Sequence, residues 1–299
     1  MGQLQPTRYM DVSNTVDVSD PASVCLSVLS ILDSSYPDFD SALLSRVFVD
    51  FERLYRGEFP GYRACDIGYH NSQHVLDVTL AMARLLDGYG RVHGSAGVLD
   101  AELALAGMVT ALFHDSGYLL RDEEDRVENG AAYTRIHVSR GARLMEAYLP
   151  TVGLSRLVGI CTRIVQFTGY EIDPSDLIVE SEREHLLGSL LGTADLIAQM
   201  ADMDYIRKCR EELYEEFVSA GIAGGEDDAP AEELRYYNRE HLLRSTPGFI
   251  RRSIEVRLDG YFNSVHRFAA EHFDGVHLYM DAIQYNCSKL EAILFAKDV

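Results

Sequence analysis

The sequence is poor in basic residues. Its 27 lysines and arginines are outnumbered by 47 aspartates and glutamates, which gives a net charge of −20 at pH 7. Because proteins hold the phosphate backbone of DNA and RNA with clustered lysine and arginine, this balance argues against a nucleic-acid polymer as partner. A small phosphate substrate stays compatible with it if bound metal ions supply positive charge locally.

Cysteines are few and scattered. The chain has five of them, an odd number without any CxxC pair, at positions 25, 65, 161, 209 and 287. Such a set forms neither a disulfide framework nor a thiolate zinc site. The cysteine usage therefore predicts a reduced, intracellular compartment.

Features that direct a chain to membranes are also missing. No apolar run approaches the roughly 18 residues that a membrane-spanning helix needs. Residues 1–20 have neither the basic nor the apolar region of a signal peptide. Pro6 occupies the position where a myristoylation motif requires serine or threonine. The sequence thus predicts a soluble, cytoplasmic protein without a membrane partner.

The alternation of apolar and polar residues that marks β-strands is not found. Apolar residues, 47% of the chain, instead recur at helical spacing from residue 22 almost to the end. Asp20 and Pro21 are typical of a helix cap followed by a first turn. We therefore predict one all-α domain over residues 19–299, preceded by a flexible polar tail over residues 1–18.

Glycine, proline and polar clusters divide this helical pattern. Breaks are expected at residues 88–97, 117–129, 168–175 and 221–230, and the last, GIAGGEDDAP, is the best candidate for a mobile surface loop. Helices are predicted at residues 22–34, 40–56, 72–87, 99–113, 131–148, 152–167, 181–221, 231–244, 247–272 and 276–297.

Three polar motifs interrupt the apolar helices. His70 and His74, four residues apart in YHNSQHVLDV, would share one helix face. His114 and Asp115 close an apolar helix, and Asp195 lies alone in the apolar stretch GTADL. An unpaired buried carboxylate is strongly destabilising unless a cation or hydrogen-bond donors compensate it. A metal site with imidazole and carboxylate ligands accounts for all three motifs together.

Each motif alone has a more ordinary explanation. A single histidine at a helix end usually caps the helix or faces solvent, and a single aspartate in an apolar helix usually bonds to backbone or arginine. A His-Asp dipeptide alone carries almost no information. The joint occurrence of YHNxxHxxDV, LFHDxG and ADL, in this order, favours the metal site.

With these motifs the sequence resembles the class I cyclic-nucleotide phosphodiesterases of the HD superfamily, over roughly residues 60–290. YHNSQHVLDV is close to that family's YHNxxHAxDV signature. FHDSGY matches the HD motif, with Tyr118 where the family's longer HDxDHPG has its second histidine. HVSRGARL, from His137, looks like the family's HLAVGFKL-type segment. The stretch from ADLIAQM to EEF is similar to the one that begins ADLSNP, and TPGFI resembles the QxGFI segment of the base pocket.

The resemblance implies a catalytic site with two divalent ions. The first ion, Fe, Mn, Zn, Co or Ni, would be bound by His74, His114, Asp115 and Asp195. Asp115 would bridge to a second ion, Mg or Mn, held otherwise mostly by water. His70 would be the general acid and, with Asp195, a catalytic residue. His137 is expected either to bind the second ion or to lie behind the site, and both roles stay open.

The resemblance also implies a substrate pocket formed by Phe249, Thr246 and Tyr118. Phe249 would stack on a nucleobase, unless it is an ordinary core residue of its helix. The family reads purines with a glutamine three residues before this phenylalanine. Here Thr246 has only a short hydroxyl, which cannot replace a bidentate amide. Tyr118 removes the histidine that usually orients the general acid, although its hydroxyl is a candidate substitute.

The sequence therefore predicts a metal-dependent phosphohydrolase. The first candidate is a phosphodiesterase that hydrolyses a cyclic nucleotide or related small phosphodiester with a metal-activated hydroxide and a histidine general acid. One alternative is an HD-type phosphomonoesterase or nucleotidase. Another is a nucleotide-binding regulatory module with weakened turnover. A homo-oligomer is compatible with each of them.

Overall fold

Helices account for nearly all regular structure in the computed structural model, which describes residues 9–94, 97–122, 125–225 and 234–298. The α-helices are α1 (Pro21–Ser35), α2 (Ser41–Tyr55), α3 (Ser72–His93), α4 (Ala101–Phe113), α5 (His137–Tyr148), α6 (Val158–Ile164), α7 (Glu182–Ala201), α8 (Tyr205–Lys208), α9 (Tyr214–Ser219), α10 (Arg239–Arg252), α11 (Arg267–His272) and α12 (Leu278–Asp298). Within those ranges β-structure is limited to three isolated bridges. The predicted all-α fold is confirmed. None of the described helices is long and apolar enough to cross a membrane.

Helix α3 lies at the centre of the fold. Every residue from His74 to Tyr89 is buried, and the helix packs against α1, α4, α7 and α11. Gly88, where the sequence predicts a break, lies inside α3, which continues to His93. A Cβ at Gly88 would lie 1.7 Å from the backbone oxygen of Phe268. The missing side chain of Gly88 therefore allows α11 to approach α3 closely, and the glycine does not end the helix.

Residues 9–18, predicted as part of the flexible tail, pack against the core instead. Asp11 accepts hydrogen bonds from three backbone N–H groups of its own turn and pairs with Arg84 of α3 at 2.6 Å. Val18 is only 2% exposed. The buried ion pair and the apolar contact fix this segment, so the predicted start of the domain at residue 19 is too late. Residues 1–8 lie outside the described residues.

Boundaries in the second half of the chain differ from those predicted. The helix expected over residues 181–221 is divided, because α7 ends at Ala201 and a π-helical turn, Cys209–Leu213, joins α8 to α9. Likewise α6 is shorter than the helix expected over residues 152–167, and 3₁₀ turns flank it. These short turns let the chain fold back over α7.

Helix α10 also departs from the prediction. Separate helices were expected over residues 231–244 and 247–272, but α10 begins after Asn238, whose side chain caps it, and continues through Pro247. Pro247 removes one backbone donor without ending the helix. The beginning of the first predicted helix, and residues 226–230 of the predicted mobile loop, lie outside the described residues.

Candidate metal centre

The three polar motifs meet where α3, α4 and α7 pack together. His74 lies in the first turn of α3, which the Asn71 side chain caps by accepting from the backbone N–H of Gln73 and His74. His114 caps the carboxyl-terminal end of α4, Asp115 follows it, and Asp195 lies in the second half of α7. Because α3 packs against both α4 and α7, the first turn of α3, the carboxyl-terminal end of α4 and the side of α7 that carries Asp195 meet at one point.

The predicted ligands of the first ion lie within contact of one another. Nε2 of His74 is 3.4 Å from Oδ2 of Asp115 and 3.3 Å from Oδ1 of Asp195. Nε2 of His114 is 3.2 Å from Oδ2 of Asp115 and 4.0 Å from Oδ1 of Asp195. All four side chains are buried. His74, His114 and Asp115 each offer a ligand atom within 4.8 Å of the others, a spacing that suits one metal ion.

The nitrogen and oxygen atoms that face one another in this cluster suit a bound cation. Among the described residues, Nε2 of His74, Nε2 of His114 and Oδ2 of Asp115 are buried without any hydrogen-bond partner. His114 donates from Nδ1 to the carbonyl oxygen of Ala111 at 2.8 Å, so Nε2 is the ring nitrogen that faces Asp115. Buried acceptors that face one another are costly unless a positive charge lies between them. A divalent ion would supply that charge.

The pKa values of His114 and Asp115 also indicate a site for positive charge. Burial alone would lower the pKa of His114, but Asp115 and Asp195 outweigh it and raise the pKa to about 9. Burial alone would raise the pKa of the Asp115 carboxyl, yet the surrounding imidazoles hold it well below its ordinary range. The site therefore stabilises a positive charge beside Asp115, and a bound cation would take the place of the proton on His114.

His137 lies on the other side of Asp115. Its Nε2 is 3.6 Å from Oδ1 of Asp115, whereas Oδ2 of the same carboxylate faces His74 and His114. His137 donates from Nδ1 to the carbonyl oxygen of Thr134 at 2.8 Å, so its Nε2 lone pair is also directed at Asp115. Burial lowers the pKa of His137, which favours the neutral, metal-binding form. This placement fits a ligand of a second ion bridged by Asp115.

Gly117 lets His137 come this close. The turn that follows Asp115 packs against the first turn of α5, and a Cβ at Gly117 would lie 1.7 Å from the backbone oxygen of His137. Arg140 of α5 fixes the contact by donating to the carbonyl oxygens of Gly117, at 2.8 Å, and Leu119, at 3.2 Å. The position accepts only glycine because the two backbones touch.

The partner that orients His70 is Glu216 of α9, which the sequence analysis missed. Nδ1 of His70 lies 2.6 Å from Oε2 of Glu216, and Oε1 of Glu216 accepts from the backbone N–H of Tyr69 and His70. The expected loss of an orienting partner at Tyr118 is thus wrong, since a carboxylate from a different helix provides one. Burial lowers the pKa of His70, but Glu216 first, then Asp115 and Asp195, raise it to about 9.

Tyr118 separates His70 from His137. Its ring stacks on His70, with centroids 4.8 Å apart, and on His137, with centroids 4.5 Å apart. The side chain is buried. Tyr118 therefore fixes the spacing of the two imidazoles through its ring faces, and its contact with His70 is made by the ring.

A cavity of about 480 Å³ opens above the cluster. The described residues that line it include His70, Asp115, Tyr118, His137, Asp195, Thr246 and Phe249. The hydroxyl of Thr246 already donates to the carbonyl oxygen of Leu242 at 2.9 Å, which leaves it only acceptor capacity. Phe249 packs partly against the core and presents the rest of its ring to the cavity. The three predicted substrate residues thus share one cavity with Asp115 and Asp195 of the predicted ligand set.

Comparisons with known proteins bear on the fold. No protein-family model and no curated protein sequence matches the chain. Among solved structures, the chain is similar to the phosphodiesterase domain of the RhoPDE fusion protein from the choanoflagellate Salpingoeca rosetta. The TM-score is 0.60 at 17% sequence identity, and the match covers 98% of this chain and 96% of that chain. The chain therefore has a phosphodiesterase-like fold.

Proposed function

We propose that this protein is a metal-dependent phosphodiesterase that hydrolyses a cyclic nucleotide or a related small phosphodiester. The observation that carries the proposal is the set of unpartnered, buried ligand atoms of His74, His114 and Asp115 beside the partnered imidazole of His70. His70 and Asp115 line a cavity within the size range of small-molecule sites. The phosphodiesterase-like fold supports the same reaction class.

Two divalent ions bound by His74, His114, Asp115 and Asp195, with His137 at the second, would lower the pKa of a water molecule and offset the phosphate charge. Asp115 and Asp195 hold negative charge where the ions bind. His70 is the proton donor: when water adds to phosphorus and the ester P–O bond breaks, the leaving oxygen takes the proton from His70. The attacking water releases one proton to solvent, and His70 takes one up from solvent after turnover, so the hydrolysis balances.

Glu216 sets the protonation state of His70. Its carboxylate accepts from Nδ1 at 2.6 Å and so favours the imidazolium, which is the form that can donate a proton. The same contact fixes the ring plane and leaves Nε2 for the leaving oxygen. The intact pair argues against a regulatory module with weakened turnover.

Substrate binding would depend mainly on Phe249. Stacking of a base on an aromatic ring contributes about 1–3 kcal/mol, whichever base is present. With its hydroxyl hydrogen committed to Leu242, Thr246 adds little recognition of a purine edge. We propose a small, cytoplasmic phosphate ester as the partner, and no nucleic-acid polymer.

The experiment that tests the proposal is hydrolysis of matched phosphate esters by the purified, metal-loaded protein. We expect 3′,5′-cyclic nucleotides or small linear diesters to be opened without release of inorganic phosphate. Release of phosphate from nucleoside monophosphates, with diesters untouched, would make the protein a phosphomonoesterase. Cleavage of neither class would overturn both assignments.

A further inference from the structure

The cavity holds two arginines in a chain that is poor in basic residues. Arg135 and Arg235 both line it, and both are exposed to solvent. Within the described ranges neither has an ion pair with a carboxylate, whereas many other arginines of the chain do. Two exposed guanidinium groups beside a candidate phosphate site are therefore available to a ligand.

The carboxylates that line the same cavity do not neutralise these arginines. Asp115 and Asp195 face the imidazoles of the candidate metal centre. The third, Glu171, accepts from the backbone N–H of Val138 and Ser139 at the start of α5, and also from the Ser139 hydroxyl. Each carboxylate in the described lining thus has another partner.

The two arginines flank one turn of the chain. The guanidinium of Arg135 approaches the carbonyl oxygen of Gly221 at 3.5 Å, and the backbone N–H of Arg235 donates to the carbonyl oxygen of Ile222 at 3.0 Å. Arg235 also lies beside the ring of Tyr236, with 5.5 Å between its guanidinium carbon and the ring centroid. Contacts with the consecutive carbonyls of Gly221 and Ile222 therefore place the two residues beside the same turn.

A single phosphodiester does not need this additional charge. The proposed reaction already places divalent ions and protonated His70 against the phosphate that is cleaved. Arginine side chains bind phosphate oxygens in pairs of parallel hydrogen bonds, which makes two of them a fitting site for another phosphoryl group.

We infer that the substrate carries a second phosphate group, apart from the phosphodiester that is cleaved, and that Arg135 and Arg235 bind it. The inference rests on the proposed function, because it names the substrate class of that same cavity. A small linear phosphodiester with a terminal phosphate has this chemistry.

The test compares two substrates that differ only in the second phosphate. Adenylyl-(3′,5′)-adenosine, with and without a 5′-terminal phosphate, is hydrolysed by the metal-loaded protein. We expect kcat/KM to be roughly 10- to 100-fold higher for the phosphorylated dinucleotide, the usual effect of charge-assisted hydrogen bonds. The ratio should fall as ionic strength rises, because the arginines are exposed.

Variants assign this preference to the arginines. In Arg135→Gln and Arg235→Gln the ratio of the two kcat/KM values should fall toward one. The matched control, Arg46→Gln, removes an exposed arginine of α2 that does not line the cavity, and should leave the ratio unchanged.

The outcomes separate this inference from the proposed function. Bis(p-nitrophenyl) phosphate serves as a diester without a second phosphate. If it is cleaved but the phosphorylated dinucleotide is not preferred, or if the arginine variants keep the preference, the second-phosphate site is wrong and the phosphodiesterase stands. If no diester is cleaved, the proposed function fails and this inference falls with it.

Discussion

In three histidines of the site, Nδ1 has a fixed partner and Nε2 is left for chemistry. His114 and His137 donate from Nδ1 to carbonyl oxygens, at 2.8 Å in both cases, whereas His70 pairs with the carboxylate of Glu216. A carbonyl on Nδ1 leaves Nε2 to bind a metal ion, and a carboxylate on Nδ1 favours the imidazolium that a general acid needs. Burial lowers both pKa values, but that of His114 is raised by Asp115 and Asp195, which face its Nε2, whereas that of His70 is raised chiefly by Glu216, which faces its Nδ1. The side of the ring on which the carboxylate lies thus separates the two roles.

Replacing the carboxylate tests this distinction. Glu216 raises the pKa of His70, so Glu216→Gln should lower that pKa and move the alkaline limb of the kcat/KM profile to lower pH. Above the shifted limb, turnover on an unactivated diester should fall, since less His70 carries the proton.

A substrate with an activated leaving group provides the control. Bis(p-nitrophenyl) phosphate releases a phenolate that needs no proton, so the variant should retain most of its activity on it. An unshifted pH profile, or an equal loss on both substrates, would contradict the role of Glu216 as the positioning residue of His70.

The residues that could be predicted from sequence lie in short motifs. His70 and His74 are four residues apart, so a single helix turn brings them together. His114 and Asp115 are adjacent and lie together at the end of one helix. Glu216 lies 146 positions from His70 in a segment with several acidic residues. It belongs to the EEF that closes the stretch resembling the family, but that pattern does not assign it to His70, and only the folding of α9 over the start of α3 reveals the contact.

At the scale of elements, the start of α5 positions His137. The contact depends on Gly117, because its missing side chain lets the backbone of the preceding turn touch that of α5. The amino-terminal segment also depends on contacts between elements. Its polar residues predict a tail, but Asp11 makes an ion pair with Arg84 in the centre of α3.

Gly117→Ala should therefore displace α5. The added methyl group cannot share space with the backbone oxygen of His137, and the overpacking should cost about 1–3 kcal/mol in the free energy of unfolding. Thermal or denaturant unfolding measures this change. The matched control is Gly248→Ala in α10, where a Cβ meets nothing within 4 Å and where alanine should be neutral or stabilising. Equal stability of the two variants would contradict the close contact.

At the scale of the whole molecule, the net charge opposes binding of the proposed anionic substrate, and the cavity counters it locally. A net charge of −20 repels phosphate esters over most of the surface. The cavity offsets this with Arg135, Arg235 and the cations that the buried cluster would bind. The fold class followed from helical periodicity alone. The cavity arises from distant segments, of which the family resemblance indicated Tyr118, Thr246 and Phe249 but not Arg135 or Arg235.

The central claim is that the buried cluster holds metal, and the metal content of the purified protein tests it most directly. Mass spectrometry under native conditions should find at least one tightly bound divalent ion in the unaltered protein and none in Asp115→Asn, with circular dichroism showing that both are helical. Asp40→Asn, which replaces one good helix cap of α2 with another, should keep the metal. Full metal content in Asp115→Asn, or a metal-free unaltered protein after growth with added Mn, Fe and Zn, would contradict the account.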